Sequence, residues 1–425
     1  MRLGAALATA ALTAALQSLG GQATQAAEEE PEWTLEQARQ CWQTMVRPVQ
    51  HVGVPGYQFQ AGVMWDGALV FGPLDFRQLK VMQAELAPLG DSRLHVSVGY
   101  GDPMRLVDRR GTGNPLIRRF LEEGRLPIPH VVTQDGDLCW DQTVFAHLLD
   151  HGLDAGMNPS SNDVLVVQAE FHVRNTGQAR RTGHLWLHFG DTSQVRLGYK
   201  CGQGDELAPP IAHRYEAPFG KVGDKVRYVL PAPDRGEIHW HDELPALPET
   251  KSAPRRLIEW RATLSPGDEG RLRLLIPYGL IDTRTAQRLT RLDSSGELER
   301  VRSYWRKLEQ GPGQILTPDP FVNDYLVAVV GQMGQQIAYR ARSGVWMYKT
   351  SPNHYEGYWP CNAAKALPTL DWRGLSALSR PVLQSFVAQQ TNDVRGMDKG
   401  AMGRDEGLKG EGFAKIHGFL GNFGE

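Results

Sequence analysis

The sequence predicts a multidomain β + α chain, an antiparallel β-sandwich followed by a helical domain. Three observations carry this. Between Tyr57 and Pro277 short apolar runs recur, many alternating, broken by Gly, Pro and Asp and with little helical periodicity. After Asp282 the apolar spacing lengthens to three or four residues. At 425 residues the chain exceeds one ordinary domain. The expected layout is a leader over 1–26, a sandwich with a short leading helix over 27–281, a linker helix over 282–313 and a helical domain over 314–425.

Residues 1–26 read as a secretory signal. Arg2 supplies the positive start, Leu3 to Leu19 is rich in Ala and Leu, and Thr24-Gln25-Ala26 is a small-x-small cleavage site. The acidic Glu28-Glu29-Glu30-Pro31 then suits a mature N-terminus, so export is expected. The other reading is an apolar first helix of the mature fold. No further run approaches the ~18 apolar residues of a membrane-spanning helix. A net charge of −2 offers no basis for a nucleic-acid or membrane-surface partner. Cys41, Cys139, Cys201 and Cys361 form no Cys-x-x-Cys pair, which excludes zinc and dithiol motifs. They fit isolated core residues, or up to two disulfides after export.

In chain order, Leu35, Ala38, Cys41/Trp42 and Met45 are spaced for a short helix with Thr34 as N-cap. Asp66-Gly67 between apolar runs signals a tight hairpin. Leu94 to Val98 is a short strand. Val164 to Arg174 is the clearest one: Leu165, Val167, Ala169, Phe171 and Val173 share one face, and Gln168, Glu170, His172 and Arg174 the other. Gly183 to Phe189, Val226 to Leu230, Glu237 to His241, Leu257 to Leu264 and Arg271 to Ile276 continue the series.

Ser294-Ser295-Gly296-Glu297 then reads as a capping box, followed by Leu298, Val301, Trp305 and Leu308 at helical spacing. Thr317 as N-cap with Pro318 at the first helical position opens a long helix. Its expected apolar stripe is Phe321, Tyr325, Val329, Met333 and Ile337. Leu378, Val382 and Phe386 mark a later helix. Residues 395–412 hold six glycines in eighteen positions, too many for a stable helix, so a lid or a plain connector is expected.

The densest chemistry lies between Trp346 and Leu375. Trp346, Tyr348, Tyr355, Tyr358, Trp359 and Trp372 are interleaved with His354, Glu356, Asn362 and Asp371. A pyranose stacks its apolar face on indole or phenol and needs partners for its hydroxyls, so this mixture suits a sugar. It equally suits an aromatic turn packed between two helices. The segment Tyr358-Trp359-Pro360-Cys361-Asn362-Ala363-Ala364 resembles the Trp-x-Arg-Asp-x-Ala element of six-hairpin glycosidases, the (α/α)6-toroid enzymes such as glucoamylases and glycogen-debranching enzymes. The resemblance covers residues 300–425. It implies that the sandwich precedes the first helices of an (α/α)6 toroid, and that Asn362 stands where the family's Asp binds sugar hydroxyls. Where the family has Arg-Asp, this chain has Cys361-Asn362. A full toroid needs roughly twice the helices that fit after residue 318 at ordinary lengths, so a C-terminally incomplete domain is expected.

Glycoside hydrolysis needs two carboxyl groups flanking the scissile bond, about 6.5–9.5 Å apart in inverting enzymes, and an apolar surround keeps the acid protonated. Glu356, Glu411 and Glu425 are the catalytic candidates; Trp346, Tyr348, His354, Tyr355, Tyr358, Trp359 and Asn362 are the substrate-binding ones. Each carboxylate also reads as an ordinary surface group, and Asp371 as a helix cap. The resemblance implies that acid and base come from later inter-helix loops, with the base beyond residue 425. His184/His188 and His239/His241 each share a strand face but lack a third ligand, so no metal is assigned. No dinucleotide, phosphate-loop, Gly-x-Ser-x-Gly or His-Glu-x-x-His motif occurs, and no cofactor is expected. The expectation is an exported glycoside hydrolase-like protein acting on a carbohydrate. The alternatives are a non-catalytic saccharide-binding protein and a phosphorolytic enzyme of the same architecture.

Overall fold

The computed structural model of the chain describes residues 33–44, 50–57, 60–64, 66–71, 93–100, 105–107, 117–154, 163–190, 213–243, 255–311, 313–340, 344–349 and 360–389. Helix α1 (Leu35–Thr44) falls, but for its last residue, in a first compact unit, Met1–Gln43. Thr34 caps it as expected, and Gln37 answers: Gln37 N donates to Thr34 Oγ1 at 3.2 Å and Thr34 N to Gln37 Oε1 at 2.9 Å.

The second unit, Thr44–Glu425, holds everything else described. It begins with β1 (Gln50–Gly53), β2 (Gln60–Val63), β3 (Leu69–Phe71), β4 (Arg93–Tyr100) and β5 (Arg105–Leu106). Then come β6 (Ile117–Glu122), β7 (Leu126–Asp135), β8 (Leu138–Leu148), β9 (Leu165–Asn175) and β10 (Arg181–Gly190). The run ends with β11 (Arg214–Glu216), β12 (Phe219–Val222), β13 (Lys225–Val229), β14 (Glu237–Glu243), β15 (Arg255–Leu264) and β16 (Glu269–Pro277). Two antiparallel sheets result. The first has the order β1-β2-β3-β4-β10-β15-β14, with β5 on β4; the second has β11-β12-β13-β16-β9-β8-β7-β6.

The sheets face each other over one apolar core. Leu94, Val96, Val98, Leu185, Leu187, Ile258 and Ala262 of the first sheet meet Leu165, Val167, Ala169, Phe171, Val173, Leu272 and Ile276 of the second. Trp140 and Trp260 cross the gap edge to face, ring centres 5.9 Å apart. Gly183 leaves the space one indole needs: a Cβ there would lie 2.8 Å from Trp140 Cζ2. The Asp66-Gly67 hairpin forms between β2 and β3, with Gly67 at φ 84°.

Between Val98 and Val164 the sequence reading marks no strand, yet β5, β6, β7 and β8 lie there. Pro127 and Pro129 interrupt the alternation within β7. The register shift between Leu121 and Glu122, opposite this stretch, accommodates them.

The chain then turns helical. Helix α2 (Thr283–Thr290) is capped by Asp282, which accepts from Thr285 N at 2.7 Å. Helix α3 (Ser294–Glu309) lies across β7 and β8. Its cap is Asp293, accepting from Gly296 N at 3.1 Å, and not the expected Ser294. A carboxylate one residue earlier satisfies the same amides and suits the positive helix end better. Ser294 Oγ instead accepts from Arg273 at 2.7 Å, and Glu297 pairs with Arg300.

Helix α4 (Pro320–Gln335) starts two residues later than expected. Asp319 is its cap and Pro320 its first residue, while Thr317 is tied to Asn323. The Thr-Pro-Asp-Pro sequence fits both registers, and the Thr317–Asn323 bonds select the later one. Ile337 leaves the expected stripe: it opens β17 (Ile337–Arg340), paired with β18 (Val345–Tyr348). Helices α5 (Pro360–Trp372) and α6 (Ser376–Gln389) follow. Asp371 caps neither; it sits in the last turn of α5, and its carboxylate accepts from Ser379 Oγ. The architecture is a β-sandwich followed by helices, in the expected order.

Candidate functional site

The β17–β18 hairpin turns at Gly344, φ 70°, and carries the start of the aromatic stretch. It is pinned to the sandwich at Gly56, whose N donates to Ile337 O at 2.8 Å and whose O accepts from Tyr339 N at 2.9 Å. Trp346 is half-buried, its ring 5.3 Å from that of Tyr339 across the hairpin, and its backbone N donates to Ser385 Oγ of α6 at 2.9 Å. Tyr348 is buried among Ile337, Ala363 and Leu367, and burial pushes its phenol up to about 12. Asn362 lies in the first turn of α5. The structure therefore brings Trp346 and Tyr348 to the helices that follow them. His354, Tyr355, Glu356, Tyr358, Trp359, Glu411 and Glu425 lie outside the described residues.

Gln335, the last residue of α4, is fully buried at the root of this hairpin, and neither amide atom has a partner. Such a group costs about 1–3 kcal/mol. Gln60 on β2 shows the same unpartnered, fully buried amide in the sandwich, so the feature does not by itself mark a site.

Two charged clusters organise the sandwich. Glu259 on β15 is buried and receives His184 Nδ1 at 2.6 Å, His241 Nε2 at 3.0 Å and Arg261 at 3.1 Å. Burial would raise its carboxyl, but these three partners hold it at about 2. The two histidine pairs are thereby divided: one member of each serves this carboxylate. Among the described residues no three His, Cys, Asp or Glu side chains are placed to share a metal ion. His130 on β7 stacks on Phe120, ring centres 4.8 Å apart, and lies between Asp141 at 3.1 Å and Glu122 at 3.4 Å. Burial opposes its charge, but the two carboxylates raise it to about 9, so it is cationic at neutral pH. Cys139 is a free thiol raised by burial.

Sequence reasoning missed a third feature. A cleft of about 300 Å³ opens between the β6–β7 turn and helices α3, α4 and α5, lined by Arg125, Arg306, Glu309, Asn323, Asp324 and Arg373 among others. Arg125 from the turn donates to Glu309 at 2.9 Å and contacts Asp324 at 3.4 Å, joining sandwich to helices. Burial raises the Glu309 carboxyl above its ordinary value despite that arginine. The participants are scattered over nearly 250 positions and share no spacing; only Gly124 between Glu123 and Arg125 hints at a turn.

The sequence matches no protein-family profile and no curated protein. Solved structures similar to its fold include a bacterial glucoamylase complexed with acarbose: TM-score 0.39, 8% identity, 81% of this chain and 49% of that one. A human-microbiome protein assigned as a kojibiose phosphorylase gives a TM-score of 0.41 at 10% identity, over 80% of this chain and 45% of the other. A family GH92 α-mannosidase from Bacteroides thetaiotaomicron gives 0.26 at 9%, over 72% and 43%. The chain spans about half the length of these structures or less. Superpositions this loose set no residue-to-residue correspondence.

Proposed function

We propose that the chain is an exported carbohydrate-active protein whose saccharide site is built where the β17–β18 hairpin leads into α5. The observation that carries this reading is the aromatic run bracketed by Trp346 and Tyr348 at one end and Asn362 at the other. Those brackets are held by a hairpin bonded to the sandwich and by helices packed on it. Rings from such a segment would stack on the sugar, while Asn362 and His354 would meet its hydroxyls. Hydrolysis would need one carboxylic acid to protonate the glycosidic oxygen and a second carboxylate to activate water. Glu356, Glu411 and Glu425 are the candidates for these roles. Cys361-Asn362, standing where the resembled enzymes have Arg-Asp, favours a second reading in which saccharide is bound without being cleaved.

A glycan array combined with reducing-sugar release tests both. Trp359→Ala should weaken binding by about 1–3 kcal/mol, the worth of one stacked ring with its burial, and Glu356→Gln should abolish or sharply reduce any release. Binding without release selects the second reading. If both variants match wild type, the site is elsewhere.

A further inference from the structure

We propose that the cleft between the β6–β7 turn and helices α3, α4 and α5 is a binding site for an oxyanion, a carboxylate, phosphate or sulfate group, gripped by Arg373. This does not depend on the saccharide reading above.

Arg373 is the residue on which α5 ends. Leu375 N donates to Leu370 O at 2.8 Å and Gly374 N to Asp371 O at 2.9 Å, with Gly374 at φ 74°. This is the six-to-one and five-to-two closure of a Schellman motif, with Leu370 and Leu375 packed in one apolar cluster behind it. The backbone of Arg373 is therefore fixed. The residue is only 8% exposed, yet among the described residues its guanidinium has neither a hydrogen bond nor an ion pair. None of its nitrogens is sealed off from solvent, and the residue lines the cleft.

The other arginines there are committed. Arg125 is held by Glu123, Glu309 and Asp324, and Arg306 by Glu123 and Glu299. The ionisable lining comprises three guanidinium groups and two carboxyl groups, and the uncancelled charge is that of Arg373. A buried charge without a counterion is costly, and a planar fork of donors fits a two-oxygen anion best. The negative end of α5 offsets part of that cost, but among the described residues no carbonyl accepts from the guanidinium, so its donors remain available. Gln310 and Gln314 add amide donors at the rim. Among the described lining residues there is no aromatic ring, so the cleft is not built for sugar stacking.

The test is calorimetric titration of the full chain at matched ionic strength with inorganic phosphate, sulfate and glucuronate, with chloride and glucose as controls. Saturable binding of at least one oxyanion is expected, weakened about tenfold or more in Arg373→Gln, as loss of a charge-assisted pair requires. Arg373→Lys should fall between, keeping the charge but losing the fork. Phosphate or sulfate binding without glucuronate binding identifies a free ion as the natural occupant; glucuronate binding without glucose binding identifies an acidic sugar. The proposal is overturned if no oxyanion binds saturably, or if Arg373→Gln, with a circular dichroism spectrum matching wild type, binds as tightly as wild type. Should Arg373→Gln not fold, an unchanged affinity in Arg373→Lys overturns it instead.

Discussion

The sandwich and the helices behind it treat their apolar surface in opposite ways. In the sandwich, large side chains from both sheets are sealed within one core, down to a fully buried Trp260. In the helices, Phe321, Val322 and Tyr325 of α4, Trp372 of α5 and Leu383 and Val387 of α6 remain exposed. Helix α4 is apolar nearly all round, the pattern of a helix buried on every side. Only its C-terminal half, with Val330, Gly331 and Gly334, is enclosed. The sandwich thus closes its core with the help of Leu298, Val301 and Trp305 of α3, whereas α4, α5 and α6 leave several large apolar side chains exposed.

The sharpest way to break that comparison is a matched pair of truncations. Trp260→Ala should cost about 3–5 kcal/mol in chemical unfolding, the loss of a buried aromatic, whereas Tyr325→Ser should stay within about 0.5 kcal/mol. Equal losses would mean that the α4 face is covered in solution. The next effect separates charge from burial. His130 is raised in the folded state to about 9 from an ordinary value of 6.5. The stability it adds is therefore full below pH 6.5 and is lost as pH rises through about 9. The stability gap between wild type and His130→Gln should shrink over that window by about 1–3 kcal/mol, following the linkage between proton binding and folding. A gap independent of pH would show that His130 works through packing alone. The smallest effect belongs to the candidate site. Gln335→Met removes two unpartnered polar atoms with little change of volume and should raise stability by about 1 kcal/mol. A loss instead would mean that the amide is satisfied in solution. A gain accompanied by lost saccharide binding would mark Gln335 as part of the site.

Legibility followed how local each signal was. The faces of β9, the Asp66-Gly67 turn and the Thr34 cap were readable because each depends on residues a few positions apart. Strands β6 to β8 were missed because Pro127 and Pro129 hide the alternation, and their place in the sheet comes from pairing with β9. The register of α4 was ambiguous between two Pro-preceding caps until Asn323 engaged Thr317. Of the candidate site, Trp346 and Tyr348 were singled out as sugar-binding rings, and their packing against the helices that follow was not readable. Gln335 and Arg373 gave no signal, because what distinguishes each is the absence of a partner in three dimensions.

By itself the sequence determined the order of the architecture, strands and then helices, and the composition of the aromatic stretch. Periodicity and residue chemistry are properties of short windows and survive without the fold. Only the tertiary structure decided which polar groups were paired: Glu259 with two histidines from different strands, Arg125 with carboxylates nearly two hundred residues away, and Arg373 with none among the described residues. Pairing depends on distances that long-range packing creates, and no spacing along the chain encodes them.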